Sequence, residues 1–140
     1  MKMDNITGKE KAYFRIAKNV STLSDHRCKI GCVIVDGHRV ISSGYNSNSK
    51  VHRLQAEIDT EYFGCTCYGK VHAETSALIP LINSRYDLKN ATVYTYREDK
   101  NGDIAPSRPC PRCMSLIKKC GIKKIKYTTN DGFAKEYIDR

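Results

Sequence analysis

Apolar positions early in the chain recur at helical spacing. Ala12, Tyr13, Ile16, Ala17 and Val20 share one face of a segment running from about Lys9 to Leu23. Asp25 and His26 end that pattern. The run Ile30-Gly31-Cys32-Val33-Ile34-Val35 then predicts a buried strand, and Asp36-Gly37 is a hairpin turn into a second strand, Arg39 to Gly44. Residues 45 to 71 are polar and irregular, and loops of that length carry function or hidden structure. A helix is expected to begin near His72, with Ala73, Ala77, Leu78, Leu81 and Ile82 on its apolar side and Pro80 kinking or shortening it. Ala91 to Tyr96 alternates as a strand does, and Arg97 to Arg108, with Asn101-Gly102, is a turn-bearing loop. Pro109 to Cys120 predicts another helix, with Met114 and Ile117 facing inward and Gly121 as its terminator. Ile122 to Thr128 is the fourth strand. Asn130-Asp131-Gly132 turns the chain into a fifth, Phe133 to Ile138. The order α-β-β-α-β-α-β(-β) predicts an α/β fold: a three-layer α/β/α sandwich with a central mixed sheet of four to five strands.

The 140 residues fit one domain, 1–140, long enough to bury a real core. No apolar run approaches the roughly 18 residues of a membrane span. Met1 to Glu10 lacks the apolar centre of a signal peptide, so a cytoplasmic location and no membrane partner are expected. Seven cysteines are many, but in a reducing compartment they read as metal ligands and buried thiols rather than disulfides. The net charge of +9 points to an anionic partner such as nucleotide phosphate or nucleic acid, or else to a solvated basic face. Much of it gathers at Lys118, Lys119, Lys123, Lys124 and Lys126.

The chemistry lies in His72-Ala73-Glu74 and Pro109-Cys110-Pro111-Arg112-Cys113. His72, Cys110 and Cys113 are natural zinc ligands, and three protein ligands leave one position open, as catalytic zinc requires. Zinc lowers the pKa of bound water, and a carboxylate such as Glu74 then shuttles its protons. Cys110 and Cys113, at i and i+3, share one helical face at a helix start, where the exposed N–H groups and dipole favour thiolates. A closed structural site would need a fourth ligand, for which Cys28, His52, Cys65 or Cys67 is available. His52, Cys65 and Cys67 could also hold a second zinc across the long loop. The simpler reading there is reduced loop thiols, with one zinc per chain.

Spaced as H-x-E and P-C-x-x-C, the pattern matches the zinc-dependent nucleobase deaminases. Over about residues 9 to 128 the chain resembles the cytidine deaminase-like superfamily. Besides the two motifs, the resemblance covers the first helix, Cys32-Val33-Ile34-Val35, Ser43-Gly44-Tyr45-Asn46 and Gly121-Ile122-Lys123-Lys124-Ile125. It implies that His72, Cys110 and Cys113 bind zinc and that Glu74 moves protons from water to the ring nitrogen and to the departing ammonia. It also implies that the Ala73 N–H holds the pyrimidine carbonyl, that the Arg108 carbonyl meets the exocyclic amine, and that Asn46 contacts the sugar or base edge.

Pro111, Gly44-Tyr45-Asn46 and the long loop are similar to the deoxycytidylate branch. Arg108 and Arg112, where the tRNA adenosine branch carries Glu and Met, could instead pair a 5′-phosphate. Ser47-Asn48-Ser49 departs from the deoxycytidylate Gly-Thr-Pro. A hairpin return after Thr129 would lean toward a nucleoside-type or phage-like branch. The expected activity is deamination of a cytosine nucleotide or nucleoside, dCMP or CMP first, by a homo-oligomer. The rivals are a nucleic-acid deaminase, for which the lysines would track a backbone, and a non-catalytic zinc module.

Overall fold

The computed structural model describes residues 6–47, 52, 54–57 and 71–138. Helix α1 spans Gly8–Ser21. Its start is fixed by a capping box: Thr7 Oγ1 accepts from the Glu10 N–H at 3.1 Å, and Glu10 Oε1 accepts from the Thr7 N–H at 2.9 Å. Strands β1 (Ile30–Asp36) and β2 (Arg39–Tyr45) form the expected hairpin, with Gly37 in the left-handed region at φ 62°. Helix α2 (Ala73–Asn83), strand β3 (Ala91–Arg97) and helix α3 (Pro111–Lys119) follow, then β4 (Lys124–Thr128) and β5 (Phe133–Tyr137).

The five strands lie in the order β2-β1-β3-β4-β5. Only β3 and β4 run parallel; the other pairs are antiparallel. The mixed sheet and the element order are those expected. Alternation along the strands sorts the core into two layers. Cys32, Ile34, Val93 and Ile125 face α2 and α3, packing on Ala77, Leu78, Leu81, Leu116 and Ile117. Val33, Val35, Tyr94 and Tyr96 face the other way, onto Phe14 and Ala17 of α1. Helices therefore cover both faces. Among the described residues no helix is long and apolar enough to cross a membrane.

The structure corrects several expectations. Residues 54–57 form a helical turn inside the loop read as irregular. Pro80 does not shorten α2, which continues to Asn83. Ile82, placed on the apolar side by spacing, is 36% exposed. Helix α3 starts two residues later than read, because Cys110 is its extended N-cap and Pro111 its first residue. Strand β4 starts at Lys124, after Gly121 closes α3 at φ 86°. The basic run from Lys118 to Lys126 is not one patch: Lys118 and Lys119 end α3, Lys123 lies in the connection, and Lys124 and Lys126 share one face of β4.

Candidate active site

The first half of the site is set by how closely α2 lies on β2. A Cβ on Gly44 would sit 2.5 Å from the Ala77 nitrogen and 2.6 Å from the Ala73 oxygen, so only glycine permits this approach. Ser42 Oγ donates to the Ala77 carbonyl at 2.6 Å, and the Ser47 N–H donates to the Val71 carbonyl at 2.9 Å. Helix α2 is thus anchored just before and just after its start. His72 is the N-cap, with extended backbone (φ −80°, ψ 160°), and Glu74 lies in the first turn. That break resolves the difficulty of an i, i+2 pair: His72 leaves the helix while Glu74 follows it inward. The His72 N–H, which no intrahelical carbonyl can meet, donates to Oε1 of fully buried Gln55 at 3.2 Å.

Hydrogen bonds set the second half. The segment before Cys110 is stitched across the ends of β3 and β4: Ala105 N–H to the Arg97 carbonyl (2.9 Å) and Ser107 N–H to the Thr128 carbonyl (3.0 Å). Buried hydroxyls complete the stitching. Ser107 Oγ donates to the Thr95 carbonyl (3.0 Å), Thr95 Oγ1 to the Ser107 carbonyl (2.8 Å), and Thr128 Oγ1 to the Ala105 carbonyl (2.7 Å). Cys110 follows as the extended N-cap of α3, and Cys113 lies one turn on, fully buried.

The halves meet. The ligand atoms of His72, Cys110 and Cys113 all lie within 4.8 Å of one another. His72 Nδ1 is 3.8 Å from Cys110 Sγ and 3.3 Å from Cys113 Sγ. Zn–S and Zn–N bonds at a tetrahedral angle place such atoms about 3.6 Å apart. The donor set therefore fits a tetrahedral zinc with one position open.

The protonation pattern agrees with the geometry. Cys110 is drawn down to about 3, first by the hydrogen bond from Cys113 and then, against burial, by His72. Cys113 is pushed well up, first by Cys110 and then by burial. Two sulfurs compete for one proton, a conflict that a divalent cation removes by taking both as thiolates. His72 is raised by its hydrogen bond to Cys110, while burial and nearby Arg112 pull the other way. Glu74, only 5% exposed, is raised to about 7, chiefly by burial, against the pull of His72. A carboxyl near neutrality both takes and gives a proton.

Other residues expected at the site have mixed placements. Ala73 is the first residue of α2 and 1% exposed. Asn46 is 7% exposed and its amide is engaged in the fold: Oδ1 accepts from Ser24 Oγ (2.7 Å) and the Ile30 N–H (2.9 Å), and Nδ2 donates to the Cys28 carbonyl (2.7 Å). The Arg108 guanidinium turns to Glu136, with Nε 2.6 Å from Oε2 and Nη2 3.1 Å from Oε1. His52 Nδ1 accepts from the Leu54 N–H at 3.0 Å. Cys65 and Cys67, expected to share a second zinc with it, lie outside the described residues. Gln55, Thr95, Ser107 and Thr128 carry the site's support and escaped the sequence reading. Each is a buried polar residue whose partner is distant in the chain, which spacing does not reveal.

The model of the cytidine and deoxycytidylate deaminase zinc-binding region matches residues 7–129. The chain belongs to this family. It is therefore a hydrolytic deaminase of a zinc-binding family, and the His72, Cys110 and Cys113 group is the one among its described residues that could hold the metal. A deoxycytidylate deaminase of Mycobacterium phage D29 is 33% identical over 127 residues, covering 82% of this chain and 90% of that protein. Among solved structures, the dCMP deaminase of cyanophage S-TIM5 superposes with a TM-score of 0.63 at 22% identity, covering 89% of this chain and 86% of the other. A cytidine deaminase from Burkholderia pseudomallei also gives 0.63, at 17% identity, covering 94% and 93%. These two likenesses carry the fold alone.

Proposed function

We propose that this deaminase converts the cytosine of a nucleoside monophosphate, dCMP or CMP, to uracil with release of ammonia, using one zinc per chain held by His72, Cys110 and Cys113. The observation that carries the reading is the three-donor cluster beside buried Glu74. The phage relative's name supports the nucleotide substrate. Zinc, when bound, supplies a Lewis acid that makes a coordinated water acidic at neutral pH. Glu74 takes a proton from the attacking water and hands it to the ring nitrogen; a second proton from the same water leaves with the amine. Water adds and ammonia departs, so atoms and charge balance. The Ala73 N–H, at the positive end of α2, holds the ring carbonyl, and the Arg108 carbonyl accepts from the exocyclic amine.

Asn46 has a second amide N–H beyond the one given to Cys28, and we assign it to the sugar. Arg112, whose charge is felt at His72, is assigned to the 5′-phosphate, which a guanidinium suits, while the Arg108 guanidinium is matched bidentately to Glu136. A homo-oligomer of chains, each forming one domain, is part of this reading.

One observation keeps free nucleoside in view: β5 runs antiparallel to β4, the hairpin return that leans toward a nucleoside-type or phage-like branch. Ammonia release from dCMP, CMP, deoxycytidine, cytidine, cytosine and adenosine separates the readings. A preference for a monophosphate of at least tenfold in kcat/KM is expected, and faster turnover of deoxycytidine or cytidine would replace the proposal by the nucleoside reading. Glu74→Gln is expected to lose about 10²–10⁴-fold in kcat with one zinc per chain retained. Full activity of that variant would remove the assigned proton shuttle.

A further inference from the structure

The sheet face under α1 is covered at one end only. The strand registers place Val33, Tyr94, Lys126 and Lys135 in one row across the sheet and Val35, Thr92, Lys124 and Tyr137 in the next. Helix α1 seats Phe14 against Tyr94 and Phe133, with ring centroids 5.2 and 4.5 Å away. Beyond those rings the face opens into a groove of about 410 Å³ carrying Lys9, His38, Lys124, Lys126 and Lys135, with Glu10 the acidic side chain in its lining. This groove lies across the sheet from α2 and α3, and the deaminase chemistry makes no use of it.

Two features say what it takes. Lys126 and Lys135 are direct cross-strand partners on one face, an arrangement that destabilises a sheet unless negative charge is brought to it. Glu10 is matched to Lys126, Nζ to Oε2 at 2.8 Å, and both side chains are about 15% exposed. Four lysines therefore share one carboxylate at the groove. Next to them, Tyr137 is 66% exposed, with Lys124 Nζ 5.2 Å from its ring centroid. Lysines in a groove beside an open aromatic ring are the elements that bind a phosphate backbone and stack an unpaired base. A duplex offers no unstacked base, and a second copy of this chain, itself at +9, would bring positive charge to positive charge.

We infer that this groove binds single-stranded nucleic acid, with backbone phosphates on Lys9, Lys124 and Lys135 and a base on Tyr137. The binding is electrostatic and separate from the deaminase site.

Fluorescence anisotropy with a labelled strand of about ten thymidines tests it, because thymine is no substrate for the proposed reaction. Three to four phosphate contacts give a slope of log K against log salt of about −2 to −3. Lys124→Ala/Lys135→Ala is expected to weaken binding at least tenfold and to flatten that slope by about 1.4. Tyr137→Ala is expected to weaken binding about fivefold to a hundredfold with the slope unchanged. Lys100→Ala/Lys118→Ala removes the same charge elsewhere and should leave affinity within about twofold. A melting temperature no lower than that of the wild-type chain shows that each variant is folded.

The proposal is overturned if the strand does not bind at about 50 mM salt. Equal loss in the Lys100/Lys118 control overturns it too, as does displacement by dTTP at lower concentration than by unlabelled strand. That last result would assign the groove to a free triphosphate. None of these outcomes depends on which base the enzyme deaminates.

Discussion

His72 and Glu74 arrive on a helix pressed onto a strand, whereas Cys110 and Cys113 arrive on a segment tied to strand ends by buried hydroxyls. The first half depends on the absence of an atom, the Cβ that Gly44 lacks beneath α2. The second depends on the presence of polar atoms: the Ser107 and Thr128 hydroxyls, at 4% and 0% exposure, with their backbone partners. Packing contacts fix a distance between elements but are weakly directional, while hydrogen bonds fix direction as well. The contrast suits the roles. In the proposed function Glu74 sits deep beside the reacting centre, and the two sulfurs point at one position in space.

The largest test of this contrast removes the close approach. Gly44→Ala puts a methyl group against the Ala77 and Ala73 backbone, where no flexible side chain can yield. Overpacking of this kind costs about 1–3 kcal/mol, readable in a urea melt. A displacement of α2 of the order of 1 Å is expected to lower kcat/KM about a hundredfold in protein that remains folded. Activity falling only in step with the folded fraction would mean that the contact stabilises α2 without positioning it.

Ser107→Ala attacks the other half. It strands the Thr95 carbonyl and the Thr128 N–H in a buried setting, at about 1–3 kcal/mol. Because its partners flank the loop that carries the cysteines, zinc should be lost to a chelator faster than from Gly44→Ala protein of equal stability. Equal rates would mean that the two halves are held alike.

The smallest effect concerns pH. The Glu136 carboxyl is held below its ordinary value, first by the hydrogen bond from Arg108 and then by that from Tyr127, against slight burial. A depressed carboxyl stabilises the fold fully above its unfolded pKa of about 4.3 and stops doing so as pH falls through the lower folded value. The melting-temperature difference between the wild-type chain and Glu136→Gln should therefore be constant above about pH 5 and shrink below about pH 4. A difference that persists in acid would show that the pair acts through neutral hydrogen bonding.

Much of this architecture could be read from residue patterns, because it follows from local periodicities. The apolar run Ile30 to Val35 and the alternation of Ala91 to Tyr96 gave the central strands, and the ligand spacing gave the metal group. Three kinds of feature escaped. Boundaries moved where the backbone at a cap is extended, as at Cys110, since spacing cannot tell a cap from a first turn. The lysines from 118 to 126 read as a cluster until the fold placed Lys118 and Lys119 at the end of α3, Lys123 in the connection, and Lys124 and Lys126 on one face of β4. The supporting shell was illegible, because Gln55 acts on His72 from 17 residues away and Thr128 on Ala105 from 23. Hydroxyls and amides of this kind look like ordinary loop polarity until the fold removes water from around them.

The donor atoms themselves come from far apart, His72 lying 38 residues before Cys110 and 41 before Cys113. An unfolded chain rarely brings such residues together, so the affinity for a cation there belongs to the folded state rather than to the peptide. Metal occupancy and global stability are then linked quantities: whatever loosens the sheet anywhere lowers retention of the ion, and free metal in the medium raises the melting temperature. The centre to which the chemistry is assigned would thus also record whether the whole molecule is intact.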